Sequence, residues 1–149
     1  MPEDLASHSL PHDEPTLEAF LKVFEIGTLP KAHWTHAAHI FTGACYVHSY
    51  GEAAAIDRMR DRVRAYNLAV GGQNTPTSGY HETVTVLWIK LLAQFYAQHL
   101  TLLRTPFATL AVEHFTPQRD ILQRHYDYDI VASPQARRTW QPPTLTPLL

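Results

Sequence analysis

A chain of 149 residues with 45% hydrophobic and 17% charged side chains can bury a core without disulfide or metal staples. A formal net charge of -2 argues against a nucleic-acid partner or an anionic membrane surface. The single cysteine, Cys45, rules out an internal disulfide and fits a reducing compartment.

The first 13 residues are polar and Pro-containing and are expected to be poorly ordered, with no basic or apolar region of a signal peptide. A single helical domain is expected over 14–149. In "EPTLEAFLKVFEIG", Leu17, Phe20, Leu21 and Phe24 recur at helical spacing and Gly27 is a stop. A second helix is predicted from Trp34 to Tyr50. Residues 52–70 carry the apolar stripe Ile56, Met59, Val63, Tyr66 and Val70, and "GG" at 71–72 ends it. The opposite face, with Arg58, Arg60, Arg62 and Arg64 beside Asp57 and Asp61, reads as solvated, with an anion-binding surface as the minority reading.

After the loop "GGQNTPTSG", a central helix is predicted from Ser78 or Gly79 to His99, with Ser78 as its N-cap. It is apolar nearly all round, but Lys90, Gln94, Gln98 and His99 argue against a membrane span. Shorter helices are expected at "TPFATLAVEHF", "TPQRDILQRHY" and "SPQARRTW", each opened by a Thr-Pro or Ser-Pro start. "QPPTLTPLL" is an extended tail. Strand signals are weak, so the fold class is all-α: a compact bundle of four or five main helices with short extra helices.

Ten histidines are the compositional outlier, and four of them fall within "HWTHAAHIFTGACYVHSYG". His36 and His39 are three apart, about 60° from each other around a helix, and can converge on one ion. His33 lies a further turn of the same size away and ranks below them. His48 is too far along the axis to join the pair. A metal usually needs three or four protein ligands, and "NTPTSGYHET" offers the third, His81. At the positive end of a helix an imidazole stays neutral, as coordination requires. Thr77, Ser78 and Thr83 supply hydroxyls around it. The competing reading is that these are ordinary hydrogen-bonded histidines, as expected of His99, His114 and His125.

"LPKAHWTHAAHI", "NTPTSGYHET" and "SPQARRTW" with its Pro-containing tail resemble a family of small uncharacterised bacterial proteins with W-T-H-x-x-H and T-x-x-G-Y-H-x-T motifs. The resemblance runs from about Leu29 onward and covers Trp34, His36, His39, Gly79, Tyr80, His81 and Thr83. The resemblance implies those histidines as matched positions and implies no activity. In architecture, three histidines in a helical bundle are similar to DinB-like metal-binding bundles, by analogy alone.

The chemistry expected from such a site is a divalent ion, held by His36, His39 and His81, that activates water or a substrate atom. Zinc is the default, and iron, copper and nickel also accept imidazole. Glu82 is the candidate catalytic base or fourth ligand, unless its position turns it outward. Trp34, Tyr80 and Trp88 are candidate walls of a substrate pocket, with core packing as the competing reading. Tyr126, Arg137 and Arg138 read as cap and surface groups, and Cys45 as an inert core residue.

The leading expectation is therefore a cytoplasmic, metal-dependent enzyme of hydrolase type acting on a small molecule, as a monomer or a homodimer. The alternatives are a non-catalytic helical ligand- or partner-binding module with structural histidines, and a redox-metal (iron or copper) oxygenase.

Overall fold

The computed structural model describes residues 9–148. Among the described residues, five main helices form the bundle: α1 (Glu14–Glu25), α2 (His36–Tyr50), α3 (Glu52–Ala69), α4 (Glu82–Ala97) and α5 (Arg104–Phe115). Two short ones follow, α6 (Ile121–His125) and α7 (Pro134–Arg138), and a single 3₁₀ turn (Lys31–His33) precedes α2. Among the described residues there is no strand, only an isolated bridge between Thr75 and Ser78. The all-α expectation therefore holds. No described helix is long and apolar enough to cross a membrane.

Local chemistry sets the helix ends. Asp13 caps α1, its carboxylate accepting from Thr16 N at 2.9 Å, with Pro15 in the first turn. The expectation of disorder for 1–13 lies mostly outside the described residues. Within them, Leu10 packs against the core as well as Asp13 capping α1. Helix α2 starts two residues later than expected, because the Thr35 hydroxyl accepts from Ala38 N at 3.1 Å and makes Thr35 the cap. Trp34 is thereby left outside the helix. The expected Ser78 cap of α4 is also corrected: Ser78 is tied back to Thr75, and His81 is the N-cap residue. The Thr-Pro signals mislead twice. Thr105 lies inside the first turn of α5, and α6 begins four residues beyond Pro117. The Ser133 cap of α7 is as expected.

The core is one continuous cluster of buried side chains drawn from α1 to α7. Helix α2 is its axis: every residue from Ile40 to Val47 is buried, and it packs on α3, α4 and α5. The closeness of α2 to α4 depends on Gly43. A Cβ there would lie 2.9 Å from Leu92 Cδ1 and 3.2 Å from Ile89 Cδ1, inside van der Waals contact. The tail runs back along the end of α6. It is tied by its backbone, with Thr144 N and Leu145 N donating to His125 O and the Tyr126 hydroxyl donating to Gln141 O.

Candidate functional site

Where α2, α3 and α4 meet, they leave a cavity of about 370 Å³, walled by apolar side chains such as Met59, Val63, Ile89 and Leu92. Two histidines of α2 enter it. The helical spacing of His36 and His39 does what it implies: both rings line this one space. Gly43, one turn further along α2, is also part of its wall, so the same missing side chain sets the helix spacing and leaves room.

His39 is the better defined of the two. Its Nδ1 lies 2.8 Å from Thr35 O, a carbonyl that can only accept, so Nδ1 carries the proton and Nε2 keeps its lone pair. The ring lies against Trp34, with centroids 4.0 Å apart. Desolvation dominates its titration and pulls its pKa down to about 4; the Thr35 hydrogen bond opposes this and the neighbouring His36 adds to it. His36 is exposed overall and meets Trp88 edge-on at 5.5 Å. Partial desolvation of its ring, then the Arg119 charge, lower its pKa below the ordinary value. Both are neutral imidazoles at neutral pH.

A second cleft of about 510 Å³ adjoins the first and shares His39, Val63, Val84 and Thr85 with it. Its far wall includes Trp34, Tyr80 and His81. His81 is fully committed there. Nδ1 accepts from Val84 N at 3.1 Å, capping α4, and Nε2 donates to Ile130 O at 2.7 Å. Both bonds require the neutral ring, and burial lowers its pKa accordingly. The loop before it is shaped by Gly79, whose φ is +84 and whose missing Cβ would stand 1.9 Å from Gln73 O.

Glu82 turns away from the histidines. Arg60 grips it twice, Nε to Oε1 at 3.0 Å and a terminal nitrogen to Oε2 at 2.7 Å. The Tyr80 hydroxyl donates to Oε1 at 2.7 Å. Burial would raise its pKa, but the Arg60 and Tyr80 hydrogen bonds and the Arg60 charge outweigh burial and hold it below the usual carboxylate value. It is a saturated carboxylate in a third, polar cleft.

The structure thus brings His36 and His39 together and sets His81 and Glu82 on neighbouring surfaces with their polar atoms already bonded. Among the described residues, no three His, Cys, Asp or Glu side chains are grouped to hold a metal ion. The three aromatic candidates separate: Trp88 lines the histidine cavity, Trp34 the adjoining cleft, and Tyr80 both that cleft and the polar one. The hydroxyl of Thr83 serves the tail, donating to Thr139 O. His48, His99 and His125 each bond a backbone carbonyl, and His114 stacks on Phe95. Cys45 is wholly buried, and burial pushes its thiol pKa far up, which makes it inert.

Sequence reasoning missed the Arg60 clamp. The signal was the i, i+4 spacing of Arg60 and Arg64, which puts two cations of α3 on one line beside Glu82. No protein-family model, curated protein or solved structure matches the chain.

Proposed function

We propose that the protein binds a small, mainly apolar molecule bearing a hydrogen-bond donor in the His36–His39 cavity. The observation that carries this reading is the orientation of His39. With Nδ1 spent on Thr35 O, Nε2 is an acceptor in a mainly apolar wall whose other polar side chains are His36 and Thr85. A cavity of a few hundred Å³ with few polar groups is the usual form of a small-molecule site. Binding is favoured over proton abstraction, because an imidazole kept neutral down to about pH 4 is a weak base. The geometry of the W-T-H-x-x-H segment fits this role: Trp34 backs the ring, Thr35 orients it and caps the helix, and His36 lines the same cavity with its ring partly exposed.

Phenol, with toluene as the control lacking a donor, tests the reading by NMR on protein labelled with ¹⁵N at histidine. Saturable phenol binding should shift Nε2 of His39, weaken in His39→Phe, and exceed toluene binding. Equal binding of the two probes, or no saturation, would refute it.

One observation also supports a metal-dependent enzyme. An imidazole anchored through Nδ1–H to a carbonyl, with Nε2 free, is the arrangement a metal-ligating histidine adopts. His36 and His39 would hold the ion, zinc by default, and it would supply Lewis-acid or water-activating chemistry. His81 joins only by releasing Val84 N and Ile130 O, and Glu82 only by releasing Arg60 and Tyr80. Elemental analysis of untagged protein separates the readings. One equivalent of metal, lost in His36→Ala, favours the enzyme, and iron or copper in place of zinc would turn the reading toward an oxygenase.

A further inference from the structure

The polar cleft beside Glu82, about 420 Å³, draws four arginines from two helices, Arg60 and Arg64 of α3 and Arg137 and Arg138 of α7, against two carboxylates, Asp61 and Glu82. The Arg60 charge is met by Glu82 and Asp57. The other three cations are not met. Among the described residues, Arg64, Arg137 and Arg138 have no carboxylate within ion-pair distance.

Arg137 is held fast while uncompensated. Its two terminal nitrogens donate to Gly79 O at 2.8 Å and Val131 O at 3.0 Å. Its Nε is buried with no partner. A partly buried guanidinium served only by carbonyls keeps its full charge, and such a charge is stabilised by a counter-ion. Arg64 is steered toward the same cleft, its guanidinium lying 5.7 Å from the Tyr80 ring centroid. Of the two carboxylates, Glu82 is already neutralised by the two-point Arg60 grip, and Asp61 is exposed to water.

We propose that this cleft is a binding site for a phosphoryl group, free or carried on a small molecule, with Arg64, Arg137 and Arg138 as its ligands. Several guanidiniums facing one concave space suit a tetrahedral dianion better than a single carboxylate, because the exposed forks of Arg64 and Arg138 can each take a pair of oxygens while the carbonyl-held Arg137 adds its fixed charge. The site shares neither histidine with the apolar cavity, so it stands or falls independently of the reading above.

Calorimetric titration of the full chain with inorganic phosphate, at low ionic strength and a pH where the dianion predominates, tests it. Phosphate should bind saturably, with acetate at equal ionic strength competing poorly. Arg64→Gln with Arg138→Gln removes two exposed side chains and should weaken binding by about tenfold or more. Arg58→Gln with Arg124→Gln removes the same charge elsewhere and should change binding by less than about twofold. Phenyl phosphate binding as well as inorganic phosphate would place the group on a carrier molecule; a preference for inorganic phosphate would assign the free ion, and both keep the proposal. Absence of saturation, equal binding of acetate, or equal loss in the two double variants would overturn it.

Discussion

The Nε2 of His81 lies 2.7 Å from the carbonyl oxygen of Ile130, forty-nine residues away, while its Nδ1 caps α4. One ring therefore closes the α4 terminus and fastens the segment before α7 to the bundle. His81→Ala should remove both, leaving a helix N–H without a partner and the Ile130 carbonyl with Ser133 N alone, at 3.2 Å, at a cost of roughly 1–3 kcal/mol. His81→Asn retains a capping oxygen and should recover the helix-cap share alone. Urea unfolding of both variants checks this, and equal loss in the two would mean that the cap contributes nothing.

Arg60 and Glu82 form a two-point ion pair, with the Glu82 side chain 13% exposed and that of Arg60 37%. Because water screens the arginine, the coupling should be modest, about 1 kcal/mol in a double-mutant cycle of Arg60→Met and Glu82→Gln. The folded pKa of Glu82 is depressed, so its stabilisation is present above its unfolded value and is lost as pH falls through the folded one. The cycle repeated in acid should give a smaller coupling than at neutral pH. An unchanged coupling would show that the pair does not titrate as a unit with folding.

Gly79 should tolerate no side chain. Its φ of +84 is disfavoured for other residues, and a Cβ would collide with backbone, Gln73 O at 1.9 Å, which cannot rotate away. Gly79→Ala is expected to destabilise by about 2 kcal/mol or more. Gly51→Ala is the control, with a similar φ of +83 and open space around it, and should show the conformational penalty alone. Comparison of their unfolding midpoints isolates the clash.

The helices were legible because their apolar periodicity and stops are local: Leu17, Leu21 and Phe24 mark α1, and Met59, Val63 and Tyr66 mark the buried face of α3. Helix starts were less so, since a cap depends on which side chain wins a backbone N–H. Thr35 caps α2 and so moves its start past Trp34, and His81, a residue type outside the usual caps, wins over Ser78. The His36–His39 pair was readable from spacing alone. The fates of His81 and Glu82 were not, because their partners, Ile130 and Arg60, are 49 and 22 residues distant. The polar cleft was half visible as the arginine run of α3, but Arg137 and Arg138 join it only through the fold.

His39 supplies a pH test of the cavity. Its ordinary pKa is 6.5 and its folded value is about 4, because desolvation opposes the charged ring. Between those values the unfolded chain binds the proton and the native protein does not, so stability rises with pH across this window. The contribution is fully present above about pH 6.5 and is lost progressively as pH falls toward 4. Its ceiling is roughly 3 kcal/mol, the free energy of that displacement. His39→Gln keeps a polar side chain of similar reach that does not titrate, and should flatten the slope of stability between pH 4 and 6.5 relative to the native protein. His36→Gln should flatten it less, because its ring is more exposed to water than that of His39. Urea unfolding across that range decides the matter. An undiminished slope in His39→Gln would mean that the proton enters elsewhere and that the cavity leaves this ring accessible to water.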